Sequence, residues 1–312
     1  MPFDFDPHAE PVLALPHGVA ACNCHEGRRR VLFSGLLALG TVATPSLAQT
    51  REGVDVGEKS RFTKLVPAEQ LEAAGAQQYQ EMLRQAAAQR ALAPANHPQL
   101  VRLREIAKRL IAQSQTWNPR VQQWRWEVNL IASPQLNAFC MPGGKIAFFY
   151  GILDKLQLSD DEVAMVMGHE IAHALREHAR ERVGKNMSTS MLVNGISALL
   201  GLGNVGDTLL RMGGQLATLT FSREDESEAD LVGMELAARA GYDPRAAVRL
   251  WQKMGAASKG APPQWLSTHP AGPTRIRDLQ ANLPRVMPLY EKAAKPPQRF
   301  EPAPPLKPSV SK

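Results

Sequence analysis

The spacing of apolar residues along the chain changes period several times, and each change marks an expected element. Residues 67–92 are rich in Ala and Gln and read as a helix that stops before Pro94. In residues 98–113, Leu100, Leu103, Ile106, Ala107 and Leu110 recur at three- and four-residue steps, which predicts a second helix with one apolar face. Residues 124–131 alternate as a half-buried strand does. Residues 137–141 and 145–149 flank Pro142-Gly143-Gly144, which predicts two further strands around a turn. Ser159-Asp160-Asp161-Glu162 has a capping serine with a glutamate three residues on, and the helix it opens is expected to run to Val183. Residues 187–220 are apolar, glycine-rich and poor in charge, and read as a buried or lid-forming helical hairpin. Helices are expected over 221–240, stopped by Gly241, and from Asp243-Pro244 to Met254. No internal repeat is present. The pattern predicts an α+β domain, mainly helical with a small sheet, over residues 49–284.

Both ends read differently. Arg28-Arg29-Arg30 precedes an apolar run over 31–42 and a small-residue pattern ending at Ala48, so residues 1–48 are expected to be an export signal. Arg29-Arg30-Val31-Leu32-Phe33 also fits the twin-arginine form, with the general secretory route as the alternative. The run is too short to span a bilayer comfortably. A periplasmic protein is expected, soluble or peripherally associated with the membrane. Residues 285–312 are rich in proline and lysine and are expected to form a disordered tail.

Composition adds exclusions. With 36 Lys and Arg against 30 Asp and Glu, the net charge of +6 favours only weak contact with anionic surfaces such as lipid headgroups. Aromatic content is 6% and no basic stripe interleaves with aromatics, so nucleic acid is not an expected partner. Cys22 and Cys24 fall in the expected signal, and Cys140 alone cannot form an intramolecular disulfide.

The candidate chemistry lies in Gly168-His169-Glu170-Ile171-Ala172-His173. On a helix, positions i and i+4 bring both imidazoles to one face, where they can share one zinc ion per chain. Glu170 stands beside them, placed to take a proton from a water activated by the metal. Two surface histidines on a solvated helix would not need flanks as apolar as Val163, Ala164, Val166, Met167, Ile171 and Ala172. Burial of these polar groups without a shared purpose would be costly. His178, five residues beyond His173, falls on a different face of a continuous helix and reads as a surface residue. A third ligand is expected from the acidic run 224–230, where Glu226 and Asp230 are four apart. Glu226 can bind metal while Asp230 accepts a hydrogen bond from the other nitrogen of a zinc histidine. Glu224 and Glu228 share that spacing, and geometry alone does not choose between the pairs. Arg275 and Arg223 are candidates for stabilising the oxyanion or for structural ion pairs.

Residues 137 to about 275 resemble the HtpX- and BepA-like zinc metallopeptidases of the gluzincin type. The likeness rests on Asn137-Ala138-Phe139 with Pro142-Gly143-Gly144, the His169–His173 motif, Ser222-Arg223 with Glu226, Ala229 and Asp230, and Thr268-His269-Pro270. It implies a zincin-like domain with His169, His173 and Glu226 as zinc ligands, Glu170 as base, and Asp230 orienting a ligand. It also implies that the strand holding Asn137 and Ala138 aligns substrate by strand addition, and that His269 is a fourth ligand closing the site at rest. The resemblance is nearest to the small periplasmic members without helical repeats. The implied function is zinc-dependent endopeptidase action on unfolded or misassembled polypeptides outside the inner membrane, self-inhibited by His269. Two other readings compete: an inactive zinc-bound binding module, which would have no use for Glu170, and a structural zinc site, which would prefer four Cys or His ligands.

Overall fold

The computed structural model describes residues 52–194, 216–257, 264–269 and 273–305. The expected signal over 1–48 lies outside the described residues, as do residues 195–215 of the expected hairpin. Helices α1 (Ala68–Ala88) and α2 (Pro98–Ile111) lead into strands β1 (Glu127–Ile131), β2 (Ala138–Met141) and β3 (Lys145–Phe149). Then follow α3 (Tyr150–Lys155), α4 (Asp160–Leu175), α5 (His178–Asn194), α6 (Arg223–Arg239), α7 (Ala246–Ala257), the short α8 (Gln264–Thr268) and α9 (Pro273–Lys292). The fold is mainly helical α+β with one small sheet, as the residue pattern predicts.

In the sheet, β3 is central, parallel to β1 and antiparallel to β2. The tight β2–β3 turn needs Gly143 and Gly144, both at positive φ (84° and 79°), a region that side chains disfavour. Trp126 sits where a Cβ on Gly144 would be, 2.7 Å away, so the second glycine also makes room for the indole.

Helix α4 is the hub. It packs on β2 and against α2, α6 and α7. Its residues from Val163 to Leu175 are all buried. An α-helix apolar on every side has no solvent face to present, and its neighbours enclose it. The Ser159 capping box starts it: Ser159 Oγ accepts from Glu162 N at 3.4 Å, while Ser159 N donates to Glu162 Oε2 at 2.8 Å. Ser222 and Asp225 build the same device at the start of α6, at 3.2 and 2.9 Å. The two helices touch backbone to backbone. A Cβ on Gly233 would lie 2.6 Å from His169 N, and one on Gly168 would lie 2.7 Å from Gly233 O.

Two expectations are corrected. The helix from Ser159 does not continue to Val183: it stops at Leu175, Glu177 takes φ 63°, and α5 restarts at His178. A non-glycine residue in the left-handed region redirects the chain. The second correction concerns residues 285–305, which form the end of a helix and a strap packed on the domain and not a disordered tail. Helix α9 runs through Pro284 and Pro288 to Lys292. The two prolines are four apart and exposed, so the hydrogen bonds they forfeit face water. Val286 and Leu289 meanwhile hold the buried face. Beyond α9 the chain straps the start of α4: Phe300 N donates to Asp160 Oδ2, Gln157 Nε2 to the Ala303 carbonyl and Tyr150 OH to the Pro304 carbonyl, each at 2.9 Å. Among the described residues no helix is long and apolar enough to cross a membrane.

Candidate active site

Helix α4 supplies His169, Glu170 and His173, α6 supplies Glu226 and Asp230, and the residue after α8 is His269. All are buried. His169 Nε2 lies 3.1 Å from His173 Nε2, 3.2 Å from His269 Nδ1 and 3.4 Å from Glu226 Oε2. Glu226 Oε1 lies 3.0 Å from His269 Nδ1 and 3.5 Å from His173 Nε2. A tetrahedron with metal bonds of about 2.0–2.1 Å has edges of about 3.3–3.4 Å, so these separations suit zinc. Three imidazole nitrogens and a carboxylate facing one point also leave too little room for a hydrogen on each nitrogen. The donor set fits the ion.

The electrostatics agree. Burial by itself lowers the pKa of His169, but hydrogen bonds with Asp230 and Glu226 outweigh it and raise the value to about 9. Burial pushes Glu226 up, yet its hydrogen bonds with His169 and His269 hold it well below the carboxylate range. Asp230 is likewise raised by burial and lowered more by Arg275 and His169. Burial holds His173 well below the ordinary histidine value. Two ionised carboxylates in a dry site therefore favour positive charge at His169, while burial keeps His173 neutral.

A cleft of about 670 Å³ opens beside Glu170, His173 and His269, with apolar walls from Leu71, Phe139, Met141, Leu216 and Phe221. Strand β2 runs along it. Phe149 N donates to the Asn137 carbonyl, so the register turns the backbone of Ala138 away from β3, toward the sheet edge. Ala138 lines the cleft. Asn137 is buried, and its Oδ1 accepts from Ala138 N at 3.0 Å.

Residues 98–283 match peptidase family M48. The chain belongs to that family. It is a metallopeptidase, and zinc is the metal its donor set fits. The peptidase is 37% identical over 194 residues to the mitochondrial metalloendopeptidase OMA1 of Schizosaccharomyces pombe, a match covering 61% of this chain and 55% of that protein. It is 42% identical over 159 residues to OMA1 of Arabidopsis thaliana, covering 51% and 32%. It is 28% identical over 170 residues to the beta-barrel assembly-enhancing protease of Escherichia coli, covering 51% and 35%. The chain thus spans about half, or less, of the length of these relatives. They correct the expected periplasmic location, because the OMA1 relatives from fungi, a plant and animals are named as mitochondrial. Arg-rich leaders are common to export signals and mitochondrial presequences, so residues 28–48 alone did not separate the two.

In the M48 site, Glu224 is exposed while Glu226 is buried among the histidines, which separates the two glutamates that spacing left equal. Asp230 Oδ1 lies 3.1 Å from His169 Nδ1, within hydrogen-bond distance. Arg275 uses all three of its nitrogens on the carboxylates: Nε to Asp230 Oδ2 (2.6 Å), NH2 to Asp230 Oδ1 (2.8 Å) and NH1 to Glu226 Oε2 (2.8 Å). It also lies 3.8 Å from the Trp251 ring centre. Arg275 is therefore built into the carboxylate support, and Arg223 stands exposed at the start of α6.

Two site residues were missed in sequence. Trp265, 1% exposed, donates from Nε1 to Glu170 Oε1 at 2.7 Å and stacks on His269 with ring centres 4.9 Å apart. The only signal in sequence was a tryptophan four residues before the Thr-His-Pro loop histidine. His178 was expected at the surface and is corrected: it is 1% exposed, with Nδ1 2.9 Å from His173 Nδ1. The break at Glu177 turns it back toward the site, and helical spacing carried no signal of that.

Proposed function

We propose that this chain is a zinc-dependent endopeptidase that hydrolyses peptide bonds of unfolded or misassembled polypeptides and is held back at rest by His269. The observation that carries the reading is the buried, convergent set of His169, His173, Glu226 and His269, its ligand atoms within 4.8 Å of one another, with Glu170 beside it. Zinc held there supplies Lewis acidity, polarising the scissile carbonyl and easing loss of a proton from water. Glu170 is the base that takes this proton and delivers it to the leaving amine. Asp230 holds the Nδ1 hydrogen of His169, so that Nε2 is presented without one. Arg275 keeps Asp230 and Glu226 in place. His269 Nδ1 fills the fourth corner of the set, so the water Glu170 deprotonates has no position while His269 stays there.

The sheet edge supports an extended substrate. A polypeptide lying along Ala138 can pair with β2 as an added strand, and an unfolded chain offers such a segment more readily than a folded domain. Asn137 braces that edge through its bond to the Ala138 amide. The names of the OMA1 relatives support endopeptidase action, and that of the Escherichia coli relative links a similar protease to β-barrel assembly.

Glu170→Gln tests the reading on reduced casein. Proteolysis should fall about 10²–10⁴-fold, the usual contribution of a general base, with one zinc retained per chain. Activity within tenfold of wild type at full zinc occupancy would refute the role of Glu170.

A further inference from the structure

We propose that His178, itself held by Glu228, is a positioning residue that orients His173 and sets which of its nitrogens carries hydrogen. The inference rests on the reading of His173 as a zinc ligand. His173 Nε2 faces the donor set, 3.1 Å from His169 Nε2 and 3.5 Å from Glu226 Oε1. It can bind a cation only if the ring hydrogen sits on Nδ1. That Nδ1 lies 2.9 Å from His178 Nδ1. A single hydrogen fits between the two nitrogens, so when His173 donates, His178 accepts and keeps its own hydrogen on Nε2. Nε2 in turn lies 2.9 Å from Glu228 Oε2, an acceptor. Glu228 is also ion-paired with Arg176.

The two α4 histidines are thus held by different devices. His169 reaches the Asp230 carboxylate directly. His173 reaches Glu228 through an interposed imidazole, while Phe221 stacks on its other side with ring centres 4.1 Å apart. Glu228 projects from α6, the helix that also carries Glu226, so one element sets both a donor and the far end of the His173 support. His178 reaches this position because α4 ends at Leu175 and the chain turns through Glu177 before α5 begins. A histidine that merely filled space here would not need polar partners at 2.9 Å on both nitrogens.

Zinc affinity measured by chelator competition tests the proposal, alongside thermal unfolding of the metal-free proteins. His178→Leu removes the acceptor and should weaken zinc binding about 10–100-fold, the range seen when partners of ligand side chains are lost. His178→Asn places Oδ1 near the former Nδ1 and should bind zinc within about threefold of wild type. Wild-type affinity in His178→Leu, or an equal loss in both variants, overturns the proposal. If His178→Leu does not fold, Glu228→Ala replaces it: about tenfold weaker zinc binding supports the relay, and unchanged binding overturns it. His173→Ala separates the layers. Loss of zinc in His173→Ala together with wild-type affinity in His178→Leu defeats the relay alone. Wild-type zinc affinity in His173→Ala defeats the ligand reading and the relay with it.

Discussion

Trp265 donates its indole N–H to Glu170 Oε1 at 2.7 Å, and four residues later the same segment places His269 in the metal-binding set. One short piece of chain, α8 with His269 after it, therefore both contacts the proposed base and contributes to the set that could hold a metal. Trp265 and His269 also stack on each other, and Trp251 packs on Trp265 with ring centres 5.3 Å apart. A displacement of this segment that moved His269 would also part Trp265 from Glu170.

Trp265→Phe keeps an aromatic ring, though a smaller one, and removes the donor. A hydrogen bond to a charged group is worth about 1.5–3 kcal/mol, so losing it should raise the population with His269 displaced about tenfold or more. Basal casein proteolysis should rise with zinc content unchanged, and His269→Ala should raise it at least as far. Slower proteolysis by a folded, zinc-loaded Trp265→Phe would instead assign the indole a supporting role in catalysis.

Glu226→Ala should lower zinc content far more than Glu224→Ala. Glu226 is 1% exposed and touches His169, His173 and His269, whereas Glu224 sits in solvent at the start of α6. Metal analysis of the two purified variants decides the matter, and the reverse order would move the third ligand.

Gly233→Ala should destabilise the metal-free protein by about 1–3 kcal/mol, because the added methyl meets rigid backbone at His169 N and forces α4 and α6 apart. Zinc affinity should fall as well, since Glu226 and Asp230 reach His169 across that contact. Gly255→Ala in α7 is the control. Nothing lies within 4 Å of its Cβ, so it should stabilise by about 0.5–1 kcal/mol. Urea unfolding and zinc titration of both variants read the difference.

Much of this was legible before any coordinates, for identifiable reasons. Apolar spacing at Leu100, Leu103, Ile106 and Leu110 marked the buried face of α2, because a helix with one wet side must repeat every three or four residues. Ser159 and Glu162 marked the start of α4 through a capping reaction that depends on local backbone alone. The prolines of α9 misled for the opposite reason: their cost depends on which side of the helix they face, and burial is not local.

By itself the sequence determined the pair His169 and His173 with Glu170 between them, since four residues on a helix bring side chains to one face whatever surrounds it. It also determined the short strands and their turn, through glycines that only a positive φ requires. Spacing left Glu224 and Glu226 equal and only the family resemblance favoured Glu226; the tertiary structure buries Glu226 against the histidines and leaves Glu224 in solvent. The tertiary structure alone decided that Arg275 supports carboxylates, that Trp265 grips Glu170 and that His178 backs His173. Each of those contacts joins different elements or crosses the break at Glu177, and the periodicity of one element carries no information about the distance to another.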